Sequence, residues 1–410
     1  MKLTKTSSKI LKLFEYQNIG GYMRTILFLL VGFIIMMIMG TVYTWSVFRV
    51  EVETIYQANT LQSGVPYMIS LFFYAVFMML TGRVLTNKNT RLFAFTGVLL
   101  ISAGWFLASI SESLVFLSLS YGVLIGSGVG IVYGIPIYII NKRYTNSGLY
   151  TGIVLSGFGA SPLVTAPVIH YLIQTTGITY TFFVMGVVSI GVLTPLILTL
   201  KVNEKHKTNK PIVEKDYSPK IFWLLYVIFL IATTIGLMII GLTYRIGVLN
   251  YGFNANNVTL MVSVFAVFNG LSRPIFGQLV DKKGFLYASR LSASLIIIAA
   301  VGSLLNQGNI LLLYGASMGI FWFNLGAFLA MMPASIKLYF GTHLYAKRYG
   351  LMFTSYGLGA IIGTFLSGIL LDIFFETYFL YGLILLLIVI VLFLLKLLKQ
   401  QTLIPKQKDC

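Results

Sequence analysis

This chain is short of charge. Only 10% of its 410 residues are Asp, Glu, Lys or Arg, where a soluble protein carries about 25%. Acids are scarcest, at 11 Asp and Glu against 29 Lys and Arg. Three His and a single Cys, Cys410, complete the reactive side chains. One cysteine excludes an intrachain disulfide and a metal site built from several thiolates. No hydrolase triad, phosphate-cradling loop or His/Cys/Asp/Glu cluster is spaced for catalysis. The expectation is a protein with no enzymatic activity, no cofactor and no metal.

What fills the chain instead is hydrocarbon. It is 58% hydrophobic, with a mean hydropathy of +0.89. Twelve apolar runs, centred near residues 36, 72, 101, 127, 160, 190, 232, 268, 296, 322, 360 and 388, are each long enough to cross a bilayer. A span needs about 20 residues, and lipid admits only helices and closed barrels. These runs are too long for barrel strands, so the fold class expected is an all-α membrane protein. The first run, 25–48, is too long for a leader's apolar core and lacks a small-residue cleavage site. The longest polar interval, Lys201–Lys220, splits the spans six and six. The expected organisation is a bundle over 1–200, a cytoplasmic linker over 201–219 and a second bundle over 220–410.

The basic excess is a topology signal. With both termini inside, the tails, even-numbered loops and long interval hold 26 of the 29 Lys and Arg. Arg49 and Arg245 fall outside and Arg273 lies within a span. The positive-inside rule therefore predicts cytoplasmic termini in a plasma or inner membrane, and the +18 charge attracts anionic lipid rather than nucleic acid. The halves also repeat weakly. The turn from Gly82 to Arg91 corresponds to Gly277–Leu286, Pro136 to Pro333, and Gly159-Ala160 to Gly359-Ala360, at offsets of 195, 197 and 200. Such repeats are usual in transporters.

Arg273 is the charge deepest in any apolar run. A charge there costs roughly 2.5–3.5 kcal/mol and defaults to a functional role facing protein or a watered cavity. A planar guanidinium fork suits a carboxylate. Asn269, Gly270 and Pro274 beside it fit a cavity-lining face. Tyr43, Trp45, Tyr133, Trp322 and Tyr356 are the candidate partners, though Tyr43 and Trp45 equally fit interfacial anchors. The glycines of Gly126-Ser-Gly128-Val-Gly130 fit close helix packing. Downstream, Gly277-Gln-Leu-Val-Asp281-Lys282-Lys283-Gly284 forms a charged turn in which Asp281 could latch a neighbouring helix end. Gly277, Asp281, Lys282, Gly82 and Arg91 are the candidate gating residues. In the first-half copy Thr86 replaces the acid, so that latch is expected to be weak. No Asp or Glu lies deep in a span.

The turn G-x-x-x-D-[RK]-x-G is similar to that of the major facilitator superfamily. The runs Tyr43-Thr-Trp45-Ser-Val-Phe48, Gly128-Val-Gly130-Ile-Val-Tyr133, Gly157-Phe-Gly159, Asn269-Gly270-Leu-Ser-Arg273 and Met332-Pro333 resemble its oxalate/formate antiporter family. The resemblance implies twelve helices in two pseudo-symmetric six-helix bundles, working as a monomer by alternating access on small carboxylates. It also implies that Arg273 binds a substrate carboxylate. Members handling oxalate carry a lysine in span eleven where this chain has Tyr356. The expected cargo is therefore a monocarboxylate such as formate, lactate or pyruvate. An oxalate or dicarboxylate exchanger and a drug exporter are the alternatives, with an anion sensor as a rival of another class.

Overall fold

The computed structural model describes residues 23, 25–143, 147–200, 219–306, 310–341 and 345–403. The expected linker over 201–219 lies almost wholly outside the described residues, as do the N-terminal tail and Cys410. Every regular element described is helical. Among the described residues eleven helices are long and apolar enough to cross a membrane, and one of them is two spans in series. In chain order these are α1 (Thr25–Ile55), α2 (Thr60–Val84), α3 (Thr90–Ser109) and α4 (Leu114–Ile140), then the run Tyr150–Thr199. Gly177 divides that run into α5 (150–176) and α6 (178–199), because its φ of 81° is open to glycine and costly for other residues. The second half follows as α7 (Pro219–Asn250), α8 (Ala255–Lys283), α9 (Phe285–Asn306), α10 (Leu311–Phe340), α11 (Lys347–Phe374) and α12 (Tyr378–Thr402). The twelve expected spans are therefore all present, each close to its predicted centre.

The packing repeats with the sequence. Within the first half α2 lies on α4, and α3 lies on both α4 and α6. Within the second, α8 lies on α10, and α9 on both α10 and α12. The halves meet along α2 against α11 and α8 against α5. Adding six to each helix number exchanges those two contacts, which is the pseudo-twofold relation of duplicated bundles. The lipid-facing surface is apolar: Leu99, Val187, Ile298, Leu312, Leu386 and Phe393 are all exposed. Polar side chains turn inward, as expected where no water competes for them.

Glycine sets how closely the helices approach. In α4 a Cβ at Gly126 would stand 2.3 Å from the Ser70 carbonyl oxygen, and one at Gly130 would stand 2.4 Å from that of Tyr74. Backbone-to-backbone contact with α2 thus depends on the missing side chains, which brings Tyr133 and Tyr74 together one turn further on. Gly134, on the same helix, has nothing within 4 Å of where its Cβ would be. Gly130→Ala should therefore lower the thermal midpoint of the purified protein by an overpacking penalty of roughly 1–3 kcal/mol. Gly134→Ala should leave it unchanged or raised, since Ala favours helix over Gly by about 1 kcal/mol. Equal midpoints for the two variants would show that the α2–α4 contact is slack.

Candidate functional site

The closest crossing of α5 and α8 builds the site. A Cβ on Gly159 would stand 2.3 Å from Asn269 Oδ1, and one on Gly270 would stand 3.2 Å from the Ser156 carbonyl oxygen. At that crossing Arg273 reaches from α8 into the first half, with 2% of its surface exposed. Its Nη1 donates to the Leu155 carbonyl of α5 at 2.7 Å. Its Nη2 donates to Asn269 Oδ1, one turn back, at 3.2 Å. Asn269 is itself held, donating through Nδ2 to the Trp322 carbonyl of α10 at 2.8 Å. The remaining nitrogen, Nε, is buried and has no hydrogen-bond partner. A buried charged donor left open is costly, so it marks a place where an acceptor belongs.

An aromatic cluster packs beside the guanidinium. The guanidinium carbon lies 5.9 Å from the Phe158 ring centre. Phe158 in turn contacts Tyr43 of α1 edge-on at 5.1 Å, Tyr133 of α4 edge-on at 5.3 Å and Tyr74 of α2 in a stack at 5.7 Å. Tyr74 leads on to Phe353 and Tyr356 of α11 at 5.2 and 5.6 Å. The circle closes where the Tyr43 and Tyr356 hydroxyls hydrogen-bond at 2.9 Å, and Trp322 abuts Tyr43 at 6.5 Å. The hydroxyls of Tyr43 and Tyr133 lie within electrostatic reach of Arg273. A small group docked here would meet one cation, hydroxyl donors and ring edges, which carry partial positive charge.

Of the residues singled out from the sequence, Arg273, Tyr43, Tyr133, Trp322 and Tyr356 come together. Trp45 does not join them. Its indole N–H donates to the Ser63 carbonyl at 3.1 Å and its ring packs on Tyr121 at 4.4 Å, inside the first half. Trp45 follows Tyr43 by two residues at the end of the 3-10 turn Gly40–Thr44, and residues two apart on a helix point to different faces. Tyr74, Phe158 and Phe353 were not singled out. A phenylalanine in an apolar span carries no signal of its own. Tyr74, in Phe72-Phe73-Tyr74, offered only a hydroxyl among rings.

Among the described residues, Asp281 of the turn after α8 makes no ion pair. Asp281 and Lys282 are exposed, as are Gly82 and Arg91, with Gly277 half-buried. Among the described residues the ion pairs are Arg49–Glu53 and Arg245–Glu53, both at the opposite end of the bundle. The glycine that ends the motif has a local role: Gly284, at φ 81°, closes α8 by donating to the Val280 carbonyl. The first-half turn is closed by Asn89, whose Oδ1 accepts from the Thr86 N–H and whose Nδ2 donates to the Val84 carbonyl. Glu53 also qualifies the absence of acids from the spans, since it lies inside α1 and only 12% of its side chain is exposed.

Comparison with known proteins follows this geometry. A model described as Major Facilitator Superfamily matches residues 28–325. The oxalate:formate antiporter of Oxalobacter formigenes is 25% identical over 341 residues, 80% of this chain and 80% of that protein. Monocarboxylate transporter 12 of Homo sapiens is 28% identical over 166 residues, 40% of this chain and 32% of that protein. Among solved structures, a bacterial homologue of the human lysosomal transporter Spinster, inward-facing and unoccupied, superposes with a TM-score of 0.67 at 14% identity. It covers 92% of this chain and 97% of its own. That likeness is one of fold.

The tyrosine pair across the halves gives a direct check. Tyr43→Phe and Tyr356→Phe should each lower stability by about 0.5–1.5 kcal/mol, the net worth of one hydrogen bond. The double variant should lose less than the sum, because both remove the same bond. Strict additivity in unfolding measurements on the purified protein would mean the two hydroxyls do not bond.

Proposed function

This chain belongs to the Major Facilitator Superfamily, and from that premise we propose that it is a secondary carrier for a small monocarboxylate such as formate, lactate or pyruvate. The observation that carries this reading is the buried, unpartnered Nε of Arg273 within a ring of aromatic residues. With Nη1 and Nη2 each already donating to protein, the Nε edge is the side on which a carboxylate would dock. Among the described residues Arg273 is the one cation in this cluster. Arg49 and Arg245 face the Glu53 carboxylate at one end of the bundle. A dianion in a low-dielectric site needs about two compensating charges, because each unpaired buried ion costs several kcal/mol. Tyr356 can donate a hydrogen bond but cannot neutralise a charge. Charge balance therefore favours monoanions over oxalate. The antiporter and monocarboxylate transporter similarities support a carboxylate cargo, and the ring cluster supports a small one.

The same residues couple binding to movement. The Arg273–Leu155 and Tyr43–Tyr356 bonds both join the first half to the second. An anion arriving at Arg273 competes for donors that hold the halves together, so occupancy and half-to-half packing are linked. The protein would act as a monomer in a plasma or inner membrane, rocking its halves about the central site. Its termini face the cytoplasm on the evidence of the Lys and Arg distribution.

Arg273→Gln should fold and insert yet lose roughly 30-fold or more of anion uptake into proteoliposomes, matching loss of about 2 kcal/mol of charge pairing. Arg273→Lys, which keeps charge but not the fork, should fall between it and the parent. Near-normal uptake by the Gln variant would remove Arg273 from the site. In competition against one labelled monocarboxylate, unlabelled oxalate should be the weakest competitor in the parent and gain ground in Tyr356→Lys. An oxalate preference in the parent would mean that a second cation serves the site.

A further inference from the structure

At the end of the bundle opposite the described termini, four charged residues meet across the halves. Arg49 of α1 is 1% exposed. Its Nε donates to Ser63 Oγ at 2.9 Å, its Nη2 to the Thr60 carbonyl, and its Nη1 crosses to the Gly241 carbonyl of α7 at 3.0 Å. Glu53, one turn along α1, accepts from Ser63 Oγ at 2.7 Å and lies 3.5 Å from Arg49. Both Glu53 oxygens also accept from Nε of Arg245, on α7 in the other half, at 2.9 Å each. Asp372 of α11 makes the converse crossing and accepts from the Thr60 and Leu61 N–H groups at the start of α2, at 2.8 and 2.9 Å. A helix N-terminus carries partial positive charge, so that carboxylate is a charge-assisted cap supplied by the opposite half. Beside it, Thr364 of α11 is 2% exposed and packs on Gly64.

Parting these ends does not treat the charges alike. Glu53 stays with Arg49 and Ser63, all in the first half. Arg245 keeps only Asn250 Oδ1, to which its Nη1 donates at 3.0 Å, and loses its carboxylate. It would then be a cation parted from its carboxylate on the wall of the opened cleft, and Asp372, released from the start of α2, is an acid that stays in its half. The cleft leads inward: two residues before Arg245, Thr243 Oγ1 accepts from the Trp322 indole at 2.9 Å, and Trp322 adjoins Tyr43.

We infer that Arg245 is an outer carboxylate site, filled by Glu53 while this end is sealed and open to the carboxylate of an external anion once the halves part. Glu53 in this arrangement stands in for the cargo. The seal and an arriving anion draw on one guanidinium, so the cation is paired in both states and its desolvation is offset in both. The seal needs no assumption about cargo; the external-anion half of the inference rests on the carboxylate reading of the central site.

The test uses the full chain in nanodiscs with Cys410→Ser and Thr364→Cys, so that one buried thiol reports opening of this end. A membrane-impermeant maleimide should label it slowly in that parent and roughly tenfold faster or more when Glu53→Gln or Arg245→Gln is added, since each breaks a buried charge pair. Glu53→Asp, which keeps the carboxylate, should stay near the parent. Labelling of a folded Glu53→Gln protein at the parent rate would overturn the seal. So would a Glu53→Asp protein that labels as fast as the Gln variant. For the anion, formate is compared with chloride by thermal shift. In the Arg273→Gln variant, where Glu53 still fills the outer site, formate should have no effect; undiminished stabilisation there counts against the central reading alone. In Glu53→Gln/Arg273→Gln a formate-specific shift should appear, and adding Arg245→Gln should abolish it. No shift in the double variant, or a shift that survives loss of Arg245, would overturn the outer site.

Discussion

A guanidinium held away from water constrains everything around it. Arg273 is on a span, and its charge is tolerable only because α5 comes close enough for a backbone carbonyl to accept from it and α10 steadies Asn269 beside it. That closeness rests on Gly159 and Gly270, whose missing side chains leave room at the crossing. The first half thus supplies an acceptor to a cation of the second, and neither half satisfies Arg273 alone. What remains open on the guanidinium is its Nε, which lies beside Gly159 at the crossing. Burial and half-to-half contact are in this way one arrangement of atoms.

The other cross-half bonds are of a different kind. Near Arg273 they are a neutral hydroxyl pair and a guanidinium–carbonyl bond. At the far end they are carboxylates against a guanidinium and a helix N-terminus. A bond with an ionised partner is roughly twice as strong as a neutral one, so at the centre the Arg273–Leu155 bond outweighs the hydroxyl pair. At the far end a guanidinium–carbonyl bond, Arg49 to Gly241, is joined by carboxylates as well, so that end carries more charge-assisted contacts between the halves.

The pseudo-twofold relation gives the frame but not the chemistry. Pro136 and Pro333 take equivalent places in α4 and α10, and Gly159 and Gly359 both lie on crossing faces, in α5 and α11. Yet α2, the counterpart of α8, brings Tyr74 to the centre rather than a second cation. The cage is asymmetric: the second half brings Arg273, Trp322 and Tyr356 to it, and the first half brings Tyr43, Tyr74 and Tyr133.

Hydropathy along the chain was enough to place the twelve spans, because lipid leaves a backbone few choices and each span's length is set by the bilayer; the superfamily was legible in short motifs such as Gly277–Gly284. Arg273 was legible for the same reason: an arginine in an apolar run is too costly to be incidental. Tyr43, Tyr133, Trp322 and Tyr356 were legible as polar-tipped rings on four separate spans, though not as neighbours. Only the tertiary structure decided the rest. It turned Trp45 away from the cage and brought Tyr74, Phe158 and Phe353 into it, since which face of a helix meets which neighbour depends on glycine contacts hundreds of residues apart. It left Asp281 exposed and brought Glu53, Arg245 and Asp372 into contacts across the halves, with partners up to 312 positions apart in sequence. A contact of that reach has no local pattern; it exists only when two bundles have folded and met.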